Sequence, residues 1–147
     1  MRIVVDTNIV FSAVLNTDSK IARIILQPRT KLNFYSTDQL FAEINEHKKK
    51  IQELTGYSDA ELDRIITLIT DRIRFINVRL IARSIYEESE ILTHDVDIDD
   101  CEFVALTDHI KGKLWSGDKE LRHGLAQKKW DKFVTTEELF EILKKSR

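Results

Sequence analysis

One cysteine, Cys101, stands in the whole chain, which excludes a disulfide framework and any cysteine-rich zinc module. A single thiol accords with a reducing compartment without establishing one. Proline occurs once and glycine four times in 147 residues, so low-complexity, collagen-like and linker-rich architectures are excluded. Basic charge is not in excess. The 23 Lys and Arg face 25 Asp and Glu, for a formal net charge of −2, which excludes a strongly basic nucleic-acid glove but not a local basic patch. No apolar run approaches the ~18 residues of a membrane span. The opening Met1-Arg2-Ile3-Val4-Val5-Asp6 turns acidic before an apolar region of useful length develops. No signal peptide is read there, and a cytoplasmic protein is expected.

What the chain does have is a single domain's worth of core-forming sequence, expected to span residues 1–147 without a composition break, linker or repeat. Residues 3–5 (Ile-Val-Val) form a wholly apolar β-branched run ending in Asp6, the pattern of a strand buried on both faces of a parallel sheet. Further short strands are expected at 32–35, 75–78, 113–116 and 133–135. Between them the spacing is helical. Leu62, Ile65, Ile66, Ile69 and Ile73 make one apolar stripe, preceded by a capping box at Ser58 to Glu61. The segments Ser36 to Gln39 and Thr135 to Glu138 have the same form, ahead of helices at about 37–50 and 136–145. Residues 100–110 also read as helix. Strands alternating with helices predict an α/β fold with a central, mainly parallel sheet of about five strands. The helical hairpin over 37–73 is long for a simple crossover and is expected to project as an arm.

In open α/β sheets, ligands collect beyond the carboxyl ends of the strands. Acids fall at such places. Asp6 follows the first strand, with Thr7 and Asn8 behind it. Glu43 lies on the helix after strand 32–35. Asp95, Asp97, Asp99 and Asp100 open the helix over 100–110, and Asp118 follows strand 113–116, where Gly117 is expected to permit the tight turn. Each acid alone has a plain structural use as a turn residue, an N-cap or a solvated helix acid. Together they would converge at one sheet edge, where carboxylates raise one another's pKa unless a cation sits among them. Hard oxygen ligands suit Mg²⁺ or Mn²⁺. Such an ion serves phosphodiester cleavage without a protein nucleophile. Thr7, Asn8 and Ser116 are placed to orient carboxylates or water.

These residues resemble a known family. Val4-Val5-Asp6-Thr7-Asn8-Ile9-Val10 looks like the opening signature of PIN domains. Glu43 within Leu40-Phe-Ala-Glu43-Ile, Asp100 ahead of Cys-Glu-Phe-Val-Ala-Leu, and Leu114-Trp-Ser116-Gly-Asp118 resemble the second, third and fourth motifs, in order and over nearly the whole chain. The resemblance implies a three-layer α/β/α sandwich and a metal-dependent ribonuclease. It implies Asp6, Glu43, Asp100 and Asp118 as catalytic metal ligands, supported by Thr7, Asn8 and Ser116. Asp97 and Asp99 are reserves for Asp100, because the acids crowd there. Ser116 stands where the family more often has Thr, which keeps the hydroxyl. Many small members are toxins of toxin–antitoxin pairs that cleave RNA and are silenced by a protein partner, and small members often form homodimers.

Other readings fit less well. Asp95-x-Asp97-x-Asp99 lacks the glycine and the distal glutamate of a calcium loop, having Asp100 and Leu106 there. A receiver domain would need an acid after a mid-chain strand near 50–55, where Lys48 to Gly56 reads as a helix end. A haloacid-dehalogenase-like phosphatase would need an acid at position 8, which is Asn. His47, His94, His109 and His123 lack paired zinc-ligand spacing and read as surface or packing residues. Cys101 reads as a small buried hydrophobe, and Trp115 as core. Trp130 reads as packing, with base stacking the alternative. His47-Lys48-Lys49-Lys50, and the group Lys111, Lys113, Lys119, Arg122, Lys128 and Lys129, are the two candidate RNA-facing patches. The contrasting function is a non-catalytic module of the same shape that binds RNA or a protein.

Overall fold

The computed structural model describes residues 1–28 and 31–145. Its strands are β1 (Arg2–Val5), β2 (Asn33–Thr37), β3 (Ile73–Ile76), β4 (Lys113–Trp115) and β5 (Phe133–Val134). They form one parallel sheet in the order β3-β2-β1-β4-β5. The centre is β1, where Ile3, Val4 and Val5 are fully buried. They are apolar in succession because alternate side chains meet helices on opposite faces. Ile3, Val5, Phe34 and Trp115 point to one side. There α1 (Thr7–Leu15), α2 (Lys20–Leu26), α3 (Gln39–Thr55), α4 (Asp59–Thr70) and α8 (Thr136–Lys145) supply the apolar partners. Val4 and Leu114 point to the other side, covered by α5 (Arg83–Thr93), α6 (Cys101–Ile110) and α7 (Lys119–Gln127). The result is the expected α/β/α sandwich. No helix among the described residues is long and apolar enough to cross a membrane.

Two of the three expected capping boxes form. Ser58 Oγ accepts the Glu61 N–H at 3.1 Å while Glu61 takes the Ser58 N–H, and Thr135 and Glu138 do the same. The third does not. Ser36 and Thr37 lie in β2, and the Ser36 hydroxyl donates to the Val5 carbonyl at 2.9 Å, stitching β2 to β1. Pairing also moves the third strand to Ile73–Ile76, because Phe34 of β2 takes Ile73 as its partner. Ile73 therefore leaves the helical stripe, and α4 stops at Thr70, whose hydroxyl donates back to the Ile66 carbonyl. The hairpin over 37–73 is not an arm. Leu40, Ile44 and Ile51 of α3 and Leu62 and Ile69 of α4 are buried in the core shared with α1, so the apolar stripe folds back. Because α3 runs on to Thr55, His47 to Lys50 are mid-helix and not a helix end. Cys101, Trp115 and Trp130 are all buried. The Trp130 indole N–H donates to Asp108, so this ring packs inward and offers no stacking platform.

Candidate functional site

The chain runs outward from β1 through β2 to β3, then returns to the other side of β1 as β4 and continues to β5. The sheet order therefore reverses between β1 and β4, where diverging connections leave a crevice at the carboxyl ends. Asp6 and Asp118 leave those two strands. Asp6 is buried and caps α1, its Oδ1 accepting the Ile9 N–H at 3.0 Å. Asp118 caps α7, its Oδ1 accepting the Leu121 N–H at 3.1 Å. Ser116 is buried between them. Its Oγ accepts the Asp118 N–H at 3.1 Å, and its hydrogen bond to Asp6 favours the ionised carboxylate.

The remaining acids arrive from two other directions. A one-turn 3-10 helix (Ile98–Asp100) runs straight into α6. Asp97 caps it by accepting the Asp99 N–H at 3.1 Å. Asp100 stands at the N-terminus of α6 but makes no side-chain cap, which leaves its carboxylate to face the other acids. Carboxylate oxygens of Asp97, Asp100 and Asp118 lie within 4.8 Å of one another. Glu43 comes from α3, accepting a hydrogen bond from Gln39 one turn earlier. Gln39 also donates to the Asp99 carbonyl at 3.2 Å, tying α3 to the acidic turn. All of these acids line one cleft of about 450 Å³, with Thr7, Asn8, Glu46 and His47.

The electrostatics follow from burial and crowding. Asp6 is raised to about 6, chiefly by desolvation and further by the charges of Asp118 and Glu43, against the hydrogen bonds from Ser116 and Ile9. Asp100 is raised to about 8 by burial first, then by Asp97, Asp6 and Asp118. The protein alone therefore cannot hold the cluster fully ionised at neutral pH. The donors are all hard oxygens, the set that suits Mg²⁺ or Mn²⁺. Thr7 Oγ1 is buried in the same cleft, with no hydrogen-bond partner among the described residues. A hydrated divalent cation would answer both deficits, so the residues fit such an ion.

A family model described as a PIN domain matches residues 4–139. The chain belongs to the PIN-domain family. PIN domains are generally nucleases and typically bind divalent metal ions, and the acidic cleft lies within the matched span. No curated protein matches the chain.

Against the sequence expectations, the PIN cleft brings Asp6, Glu43, Asp100 and Asp118 together with Asp97 and Asp99, both held as reserves. The tight trio contains Asp97 and omits Asp6 and Glu43. Gln39 and Glu46 carry no expectation from the sequence, and His47, which reads there as a surface or packing residue or as part of a candidate RNA-facing patch, lines the cleft. Gln39 had a signal, since it stands four residues before Glu43 on the same helical face. Gly117 has no left-handed backbone and open space around it, so the turn into Asp118 does not depend on glycine. Of the second candidate basic group, Lys111 and Lys113 sit at the amino end of β4, opposite the acids, and Lys128 is paired with Asp95.

Proposed function

We propose that the chain is a Mg²⁺- or Mn²⁺-dependent endoribonuclease that hydrolyses phosphodiester bonds. The observation that carries this reading is the convergence of acids from β1, β4, α3 and the turn before α6 on one oxygen-lined cleft. Asp97, Asp100 and Asp118 would hold the cation, with Asp6 and Glu43 completing the negative wall. When bound, a divalent cation supplies an acidified water and stabilises charge on the phosphoryl oxygens. Ser116 orients Asp6 and Asp118 together. Asn8 is exposed at the cleft edge, and Thr7 Oγ1 is free to donate to a phosphate oxygen or water.

The test is cleavage of a labelled mixed-sequence single-stranded RNA with Mn²⁺ or Mg²⁺ against EDTA, for wild type and Asp6→Asn side by side. Cleavage that needs both the metal and Asp6 is expected. A rate indifferent to either sinks the reading.

The finer assignment is the toxin half of a toxin–antitoxin pair, acting on cytoplasmic RNA. It rests on the family alone. Induced expression of wild type should then arrest growth of a bacterial host, and Asp6→Asn should not. Growth unaffected by an active enzyme removes the toxin assignment and leaves the ribonuclease.

A further inference from the structure

We propose that the groove between α1 and α3 seats an RNA nucleotide flanking the scissile phosphate, with its base against Phe11 and His47 and its phosphate at Lys50. The inference rests on the ribonuclease reading and adds the path of the substrate. The groove, about 460 Å³, is continuous with the acidic cleft because Asn8 and His47 line both. An RNA whose phosphate sits among the acids must leave that cleft in some direction. Among the described residues lining it, His47 is the only side chain that can carry positive charge, and the ionisable others are carboxylates. A polyanion is repelled on the acidic sides and leaves past His47.

Beyond His47 the surface has what a nucleotide requires. The Phe11 and His47 rings lie with centroids 5.2 Å apart and planes tilted by 55°, two π-faces at the groove wall. Sequence-tolerant stacking on such rings is a general mode of single-strand binding. Leu15 and Leu54 extend the apolar floor, with Leu54 66% exposed. Lys50, exposed and one helical turn after His47, adds the cation. A protein helix could cover the leucines. It would leave the link through His47 to the acidic cleft unexplained, which is why a nucleotide is favoured.

The test measures affinity without turnover. Fluorescence anisotropy of a labelled single-stranded RNA is recorded on the full chain carrying Asp6→Asn, in Mg²⁺, alone and with His47→Ala, Lys50→Ala or Lys113→Ala. His47 and Lys50 are exposed, so the fold should survive, and a thermal melt checks it. The His47 change should weaken binding about tenfold. Removing the Lys50 charge should reduce the slope of log Kd against log salt by about 0.7. Removing Lys113, at the opposite end of the sheet, should do neither. Photo-crosslinks from 4-thiouridine RNA should map to the peptides holding Phe11 and His47. Unaltered affinity in both groove variants, or crosslinks confined to other surfaces, overturns the proposal. If Leu54→Glu then changes the sedimentation coefficient, the groove is instead a contact between copies of the chain. Cleavage with unchanged groove binding removes this inference alone. RNA held through His47 and Lys50 by a chain that never cleaves removes the nuclease reading and keeps the groove.

Discussion

Asp6 and Asp118 cap helices that leave neighbouring strands, Asp6 through the Ile9 N–H at 3.0 Å and Asp118 through the Leu121 N–H at 3.1 Å. The same carboxylates that face the cleft thus also end β1 and β4 cleanly. Folding and chemistry make overlapping demands on each, and substitutions can separate them. Asp118→Ala should lose the cap and about 1 kcal/mol of stability. Asp118→Asn keeps a capping oxygen and should unfold near wild type in urea. Both should abolish cleavage under the proposed function. An Asn variant that cleaves normally would show that Asp118 is only a cap.

Stability of the cation-free protein should fall as pH rises. Asp6 and Asp100 have folded values of about 6 and about 8, above the ordinary 3.8, so the native state holds protons that the unfolded chain has already released. Their stability is fully present below about pH 4, and it is lost through about 6 for Asp6 and about 8 for Asp100. For buried Asp6 the loss is on the order of 3 kcal/mol. Melts in EDTA from pH 4 to 9 should show the decline. Asp6→Asn should remove its share of the slope between pH 4 and 6. A wild type and Asp6→Asn pair with parallel pH profiles would contradict the raised value.

Divalent cation should reverse that trend. An ion among Asp97, Asp100 and Asp118 favours the ionised forms and displaces the protons. Mn²⁺ affinity should therefore tighten from pH 6 to pH 8, with proton release seen by calorimetry in two buffers of different ionisation enthalpy. The rise in melting temperature on adding Mn²⁺ should be larger at pH 8 than at pH 6. Binding without pH dependence would place the ion elsewhere.

Gln39 positions the site without being one of its acids. Its amide donates to Glu43 and to the Asp99 carbonyl, so it fixes a side chain from α3 against the turn that presents Asp97 and Asp100. Gln39→Ala should lower Mn²⁺ affinity or activity by about 10- to 100-fold, the usual cost of losing a support behind metal ligands. The urea midpoint should move little. Equal calorimetric affinity in wild type and variant would mean the tether is incidental.

Much of this site was legible because each acid sits at a punctuation mark. Asp6 ends an apolar β-branched run, Asp100 opens a helix and Asp118 follows a strand, positions that local pattern reveals. The parallel α/β class followed from the same alternation. What stayed hidden depends on pairing and packing between distant segments. Ser36 reads as a helix cap until β2 pairs with β1 and the hydroxyl meets the Val5 carbonyl. Ile73 continues a helical stripe until Phe34 claims it as a strand partner. His47 reads as a surface or packing residue, or as the start of a basic RNA-facing patch, but nothing near it in sequence shows that α3 packs beside Asn8 and Phe11. The choice among Asp97, Asp99 and Asp100 was undecidable from spacing, since a 3-10 turn brings the first and third together at Asp118.

Two glycines near β4 should respond oppositely to the same change. A Cβ on Gly112 would lie 2.6 Å from the Arg2 carbonyl oxygen, backbone of β1 that cannot swing aside as a side chain could. Gly112→Ala must displace the entry to β4 or the start of β1, and should cost about 1–3 kcal/mol. Around Gly117 there is open space and no left-handed backbone, although it stands between Ser116 and Asp118. Gly117→Ala should be neutral or stabilise by up to about 1 kcal/mol, through lower entropy of the unfolded chain. Cleavage should persist in the Gly117 variant, because the Ser116 hydroxyl accepting the Asp118 N–H aims that turn. Ser116→Ala should then harm the rate where Gly117→Ala does not. The reverse order would show that backbone freedom, and not the hydroxyl, sets the position of Asp118.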